Sequence, residues 1–284
     1  MSVIVTRKAY FHSADFDGKC SGAIINHFIK GVEFYPINYG EDFPWDDIEA
    51  DDIIFMVDFC LQPFDQMIKL LNRVGFANLT WIDHHITAIN DYEQSGVLIN
   101  GKRDVDKAGC ELTWEWFNGE ERDMPEFIRL LGRYDIWDHS NPRTLPFQYG
   151  MGGFDNTEPD AIVWKQLFHG QLDTLDICNT GGDIQRYIKN ENKMYCNAAF
   201  ETELDGLKCI ALNRMFTGSL LFESIWDSTK YDAMLVFGWR NGMWTVSLYT
   251  DKEGIDVSQT CKKFGGGGHK GASGFSCDEL PFKL

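Results

Sequence analysis

The sequence predicts an α/β protein: a parallel sheet with helices on both faces, followed by a smaller C-terminal α+β domain. Three observations carry this. Apolar, β-rich runs at 2–11, 51–59 and 78–83 alternate with segments of helical periodicity, the pattern of strands joined by crossover helices. Each run ends at Asp or His, as expected where the carboxyl ends of parallel strands line a ligand crevice. Beyond Gly206 the character changes to short apolar runs around Asn241-Gly242, a strong hairpin signal.

Taken in order, SVIVTRKAYF (2–11) reads as a strand, HSADFDG (12–18) as a loop and CSGAIINHFIKG as a helix. DDIIFMVDF (51–59) reads as a strand closing near Asp58, QPFDQMIKLLNRVG as the next helix, and NLTWID (78–83) as a strand running into Asp83-His84-His85. Residues 107–139 turn helical and deliver Asp135 near a helix end. The stretch 140–160, rich in Pro, Gly and Asn, reads as a connection. Helical stretches follow at about 160–178 and 183–205. The organisation expected is therefore 1–155 as the first domain, 156–206 as a helical linker and 207–284 as the second domain.

With 43 acidic and 26 basic residues among 284, the formal net charge is −17, which repels long nucleic acid, whose binding rests on many phosphate contacts. No apolar run reaches the roughly 18 residues a membrane span needs, and the first residues lack the form of a secretory signal. The eight cysteines show no C-x-x-C pair and read as reduced, packed thiols. A cytoplasmic protein without membrane or long nucleic-acid partners is expected.

Three clusters carry chemistry. His12, Asp15 and Asp17 lie within six residues of a loop after a strand, a mixture of imidazole and carboxylates that suits Mn²⁺ or Mg²⁺ better than a structural zinc site. The same segment could also be a solvated turn. Asp83-His84-His85 is expected by chance only about 0.02 times in a chain with 7 histidines and 27 aspartates. Adjacent histidines on extended backbone point to opposite faces, so one can ligate metal while its neighbour faces substrate or core. Asp58 ends an apolar run and needs a compensating partner, either a metal or the N-terminus of the following helix. Asp135 is a weaker candidate, beside Arg133. Finally, Gly265–Gly268 with His269 and Lys270 offers exposed backbone N–H groups for an anion, or a flexible hinge.

These residues together resemble the DHH phosphoesterase superfamily in its two-domain form, with a DHH domain and a C-terminal DHHA1 domain. HSADFDGKCSG (12–22) is similar to the first motif, Asp58 to the second, Asp83-His84-His85 to the third, Asp135 to the fourth and Gly265–His269 to the DHHA1 signature. The resemblance implies a hydrolase with two divalent ions, Mn²⁺ first and Mg²⁺ or Co²⁺ as alternatives. His12, Asp15 and Asp58 would hold one ion, and Asp17, Asp58, His84 and Asp135 the other. His85 would face the scissile phosphate as the catalytic histidine, with Asp83 orienting a histidine. Two ions roughly 4 Å apart activate water and clamp the attacking and leaving oxygens of an in-line displacement.

By the same resemblance, the substrate would lie in a cleft between the two domains, where Gly266, Gly267, Gly268 and His269 would grip the far end of a small nucleotide or short single-stranded RNA. Expected substrates are short oligoribonucleotides, linear dinucleotides or 3′-phosphoadenosine 5′-phosphate. The alternatives are an inorganic pyrophosphatase or polyphosphatase, or a silent nucleotide-binding regulatory module. A homodimer is compatible with the resemblance. Two features depart from the usual pattern: two residues rather than three separate His12 from Asp15, and Tyr249 stands in Ser247–Thr250 where an Arg is common. Arg240 or Lys270 is available to take the place of that cation.

Overall fold

The computed structural model describes residues 6–119 and 123–284. They form two compact units, Met1–Gln185 and Arg186–Leu284, and the segment 156–206 is divided between them.

In the first unit, β1 (Arg7–His12), β2 (Val32–Ile37), β3 (Ile53–Val57) and β4 (Leu79–Ile82) form an all-parallel sheet of order β2-β1-β3-β4. Residues 2–5 of the strand expected at 2–11 lie outside the described residues. Helices α1 (Phe16–Phe28), α2 (Asp65–Val74), α3 (Ile86–Ser95), α4 (Gly109–Asn118) and α5 (Glu126–Asp135) accompany the sheet. Both faces are covered, and the period-2 alternation of the strands shows how. Tyr10, Ile54, Met56 and Trp81 pack with Met67 and Leu70 of α2 and Ala88 of α3, while Ala9, Phe11, Phe55, Val57 and Ile82 pack with Ile25 of α1 and Leu112 of α4. A sheet buried on both sides needs the near-continuous apolar runs that make these strands legible.

Four elements escape the sequence pattern; one is the strand Phe200–Leu204, inside the stretch 183–205 expected to be helical. Strand β2 lies at the sheet edge, half-exposed, and contains Pro36, which an edge strand tolerates because no ladder bond is lost. Helix α3 directly follows His85, where only the motif draws notice. The expected connection 140–160 contains α6 (Thr144–Met151). Its Pro146 sits in the first turn, where the missing N–H costs nothing. Gly150 and Gly181 bring α6 against α8 (Thr174–Cys196): a Cβ on either would meet main-chain oxygen, Ile177 O at 2.2 Å and Pro146 O at 1.7 Å. Composition typical of a loop here serves close helix packing. Helix α7 (Ile162–Phe168) adds Val163, Trp164 and Leu167 to the core shared with α4 and α5.

The second unit carries a six-stranded sheet of order β5-β6-β7-β8-β10-β9, from β5 (Phe200–Leu204), β6 (Leu207–Asn213), β7 (Ala233–Arg240), β8 (Met243–Tyr249), β9 (Gly267–His269) and β10 (Ala272–Cys277). All pairings are antiparallel except β6–β7. Asn241 and Gly242 make the β7–β8 hairpin, both at positive φ as a tight turn of this kind requires. The helix α9 (Val257–Lys263) leads into the glycine run.

Candidate metal centre

Four chain segments of the first unit deliver carboxylates and imidazoles to one point. β1 ends at His12, and Asp15 caps α1 by accepting the Gly18 N–H at 3.0 Å. Gly18 is required there, since a Cβ would sit 1.9 Å from the His12 carbonyl oxygen. Asp17, in the first turn of α1, accepts the Gly109 and Cys110 N–H groups at 2.7 and 2.8 Å, so the N-terminus of α4 fixes its carboxylate. Asp58 follows β3 at φ +53°, a left-handed conformation that Asp tolerates better than most residues. β4 runs into Asp83-His84-His85, and Asp135 is the last residue of α5.

The His84 Nε2 lies 3.2 Å from Asp58 Oδ1, 3.2 Å from Asp135 Oδ2 and 3.8 Å from Asp17 Oδ2. The His12 Nδ1 lies 3.1 Å from Asp15 Oδ2 and 3.7 Å from Asp58 Oδ2. His12 Nδ1 and Asp58 Oδ1 are buried, yet neither makes a hydrogen bond. Atoms this close without hydrogen-bond geometry aim at a shared point rather than at one another, which is how metal donors are arranged. Donor atoms of His12, Asp15 and Asp58 all lie within 4.8 Å of one another, as do those of Asp17, His84 and Asp135, and those of Asp58, His84 and His85.

The electrostatics agree. Burial, with Asp17 and Asp15 nearby, pushes the Asp58 carboxyl well above the ordinary range, and burial with Asp17 and Asp58 does the same to Asp135. Burial opposes charge on His12, but Asp15 and Asp58 outweigh it and lift the imidazole to about 10. A buried cluster of carboxylates and imidazoles that resists its own ionisation is a candidate site for divalent cations, and the donor chemistry fits such ions.

Asp83 plays a different part. It is fully buried; its Oδ1 accepts the His84 and His85 N–H groups at 2.8 and 3.2 Å and faces His85 Nδ1 at 2.7 Å, while its Oδ2 accepts the Trp81 indole N–H at 3.3 Å. That arrangement fixes the His85 ring and leaves its Nε2 for a further partner. Tyr39 meets the His12 and His85 rings edge-on, with centroids at 5.7 and 5.9 Å.

Two supports had no signal in the motif pattern. Gly109 admits α4 to the centre: a Cβ there would fall 2.8 Å from Asp58 Cβ and 3.0 Å from Asp17 Oδ2. Glu111 accepts the Ala108 N–H at 3.2 Å and receives Arg133 Nη2 at 2.7 and 2.8 Å, tying the helix that holds Asp17 to the helix that carries Asp135. Arg133 thus forks onto Glu111. Gly109→Ala should lower divalent-metal affinity by about 10–100-fold, the usual cost of disturbing what positions a ligand, read by metal titration. Unchanged affinity would show that α4 can withdraw without moving Asp17.

In the second unit, Gly265 at φ +79° ends α9: its N–H donates to Lys262 O at 3.1 Å and the Gly266 N–H to Cys261 O at 3.0 Å. Those two N–H groups cap the helix, which takes them out of any anion nest. Gly267, Gly268 and His269 form β9, paired with Gly274, Ser273 and Ala272 of β10. A Cβ on Gly268 would lie 2.7 Å from Ala272 O, so this hairpin needs its glycine. The Tyr249 hydroxyl donates to Thr217 O at 3.2 Å, and the Arg240 guanidinium lies 5.6 Å from the Phe216 ring centroid.

No protein-family model matches the chain. Among curated proteins, an uncharacterised protein of Acanthamoeba polyphaga mimivirus is 25% identical over 300 residues, covering 94% of this chain and 66% of that protein. Oligoribonuclease NrnB of Bacillus subtilis (strain 168) is 22% identical over 251 residues, covering 82% of this chain and 61% of that protein. The chain therefore spans less than two thirds of the length of these relatives. Among solved structures, a pGpG-specific phosphodiesterase, PggH, from Vibrio cholerae superposes with a TM-score of 0.55 at 14% identity, covering 96% of this chain and 93% of that one. An exopolyphosphatase-related protein from Bacteroides fragilis superposes with a TM-score of 0.51 at 16% identity, covering 95% and 86%. The chain shares the fold of these two solved structures, and its motifs resemble those of the DHH/DHHA1 phosphoesterases. In this centre the Asp83-His84-His85 triplet divides its work, His84 meeting three carboxylates while Asp83 holds His85.

Proposed function

We propose that this protein is a metal-dependent phosphoesterase that hydrolyses small nucleotide phosphoesters, such as short oligoribonucleotides, linear dinucleotides or 3′-phosphoadenosine 5′-phosphate. The observation that carries the reading is the pair of donor sets around Asp58, with His12 Nδ1 and Asp58 Oδ1 buried and without hydrogen bonds. His12, Asp15 and Asp58 would hold one ion and Asp17, Asp58, His84 and Asp135 a second. Mixed imidazole and carboxylate donors without thiolate favour Mn²⁺. When bound, the ions supply an activated water and charge neutralisation on the phosphoryl oxygens.

The chain's own groups do the rest. Asp83 keeps the His85 proton at Nδ1, so Nε2 is directed by a fixed ring. A protonated His85 would neutralise charge on the phosphoryl group; burial opposes its charge, but Asp83 and Asp58 outweigh that and raise its pKa. The net charge of −17 disfavours long polymers and suits small substrates. The names of the B. subtilis and V. cholerae proteins, an oligoribonuclease and a pGpG-specific phosphodiesterase, support the same substrate class. In the second unit, Gly267, Gly268 and His269 are proposed as substrate-binding residues, Gly266 contributing its turn rather than its N–H.

The test is hydrolysis by metal-stripped protein, with Mn²⁺ or Mg²⁺ restored, of pApA, a five-nucleotide RNA, 3′-phosphoadenosine 5′-phosphate, pyrophosphate and a long RNA. Turnover of the nucleotide substrates, and not of the long RNA, is expected. Turnover of pyrophosphate alone would replace the reading with a pyrophosphatase, and tight Mn²⁺ binding without turnover of any substrate would replace it with a binding module.

A further inference from the structure

Helix α5, which ends at the metal-centre residue Asp135, is closed by an unusual residue. The Trp137 N–H donates to Tyr134 O at 3.1 Å and the Asp138 N–H to Arg133 O at 2.7 Å, with Trp137 at φ +63°. This is the helix-ending position that glycine normally fills, because a Cβ is disfavoured in the left-handed region. Three of the other described non-glycine residues at positive φ, Asp58, Asp205 and Asn241, are of the types that tolerate it; a tryptophan there is an outlier.

Burial does not offset the strain, since Trp137 is 56% exposed. Its ring is nevertheless held by neighbours, with the His139 ring centroid at 4.6 Å and the Tyr134 centroid at 6.3 Å. Strain retained at an exposed residue points to function. The location narrows it: a single residue separates Trp137 from Asp135, so their Cα atoms are at most about 7.6 Å apart. Asp135 in turn lies 3.2 Å from His84 Nε2. A chain of net charge −17 gains little by attracting phosphates over distance, so affinity for a nucleotide beyond the phosphate at the metal centre gains from uncharged contacts. Stacking of a base on an aromatic face is such a contact and tolerates any base.

We propose that the exposed face of Trp137 stacks a nucleobase of the nucleotide whose phosphate occupies the DHH centre. This rests on the proposed function for the position of the phosphate. The nucleobase is the ligand class, and the strained turn is what presents the indole.

The experiment compares equilibrium binding of adenosine 5′-monophosphate and ribose 5-phosphate to Mn²⁺-loaded wild type, Trp137→Phe and Trp137→Gly. Wild type should prefer the adenosine ligand by about tenfold or more. Trp137→Phe should keep most of that preference, and Trp137→Gly should lose it while melting at the same or a higher temperature, because glycine relieves the left-handed strain. The inference is overturned by a wild type without preference, by a Trp137→Gly protein that keeps it, or by equal loss of affinity for both ligands. Because binding is the readout, absence of hydrolysis with the preference intact would count against the proposed function alone.

Discussion

Asp58→Asn should lower metal-dependent kcat by at least about 10³-fold while the protein stays folded. Asp58 is 1% exposed and places its two oxygens among the donors of both sets, Oδ2 toward His12 and Oδ1 toward His84. Losing its charge removes the ligand proposed to be shared by both ions, and the several kcal/mol that such ions contribute to phosphoryl transfer correspond to a factor of this size. Asparagine is the informative substitution because it tolerates φ +53°, where alanine would add strain of its own. Stability of the metal-free form should hold or rise, since burial and the adjacent Asp17 and Asp15 already disfavour the Asp58 charge. Turnover at saturating Mn²⁺ and thermal unfolding of the stripped protein check the two halves. Wild-type-like turnover would remove Asp58 from the centre, and an unfolded variant would make its role structural.

What could be read in advance follows from how local each signal is. His12, Asp15 and Asp17 lie within six residues and His84 follows Asp83 directly, so residue type and spacing alone suggest their chemistry. Asp135 depended on order along the chain, and its meeting with His84 across more than fifty residues is visible only once α5 is packed. The Gly109 and Cys110 N–H groups that hold Asp17 were beyond reach, because a main-chain donor looks the same at every residue. Glu111 and Arg133 are likewise ordinary helix residues until folding brings α4 and α5 together. The glycine run misled in one respect: the first two N–H groups complete a helix cap, a job that one helical turn of context decides. Edge strand β2 leaves no comparable signal, because half-exposure dilutes the apolar run that marks β1, β3 and β4.

Removing the metal should lower the melting temperature at pH 8 by on the order of 10 °C, and the gap to the loaded protein should narrow toward pH 6. A ligand present at 1,000 times its Kd stabilises by about 4 kcal/mol, and a unit of 185 residues shifts by roughly 2–4 °C for each of these. The pH sign follows from the cluster. Asp58 and Asp135 are raised well above the carboxylate range by burial and neighbouring carboxylates, and His12 is lifted to about 10 because Asp15 and Asp58 outweigh burial. A group raised on folding stabilises fully below its unfolded pKa, ordinarily 3.8 for Asp and 6.5 for His, and that contribution is lost as pH rises through the folded value. Asp15, although burial works to raise it, is held low by His12 and stays ionised across this window. The stripped protein therefore weakens from pH 6 to pH 8. Over the same range, metal affinity strengthens, because binding must displace the protons on His12, Asp58 and Asp135. Both effects widen the gap in the same direction, so melting curves with chelator and with Mn²⁺ at the two pH values decide the matter. Equal melting temperatures at pH 8, or a gap that grows toward acid, would mean that these carboxylates are compensated by something other than a cation.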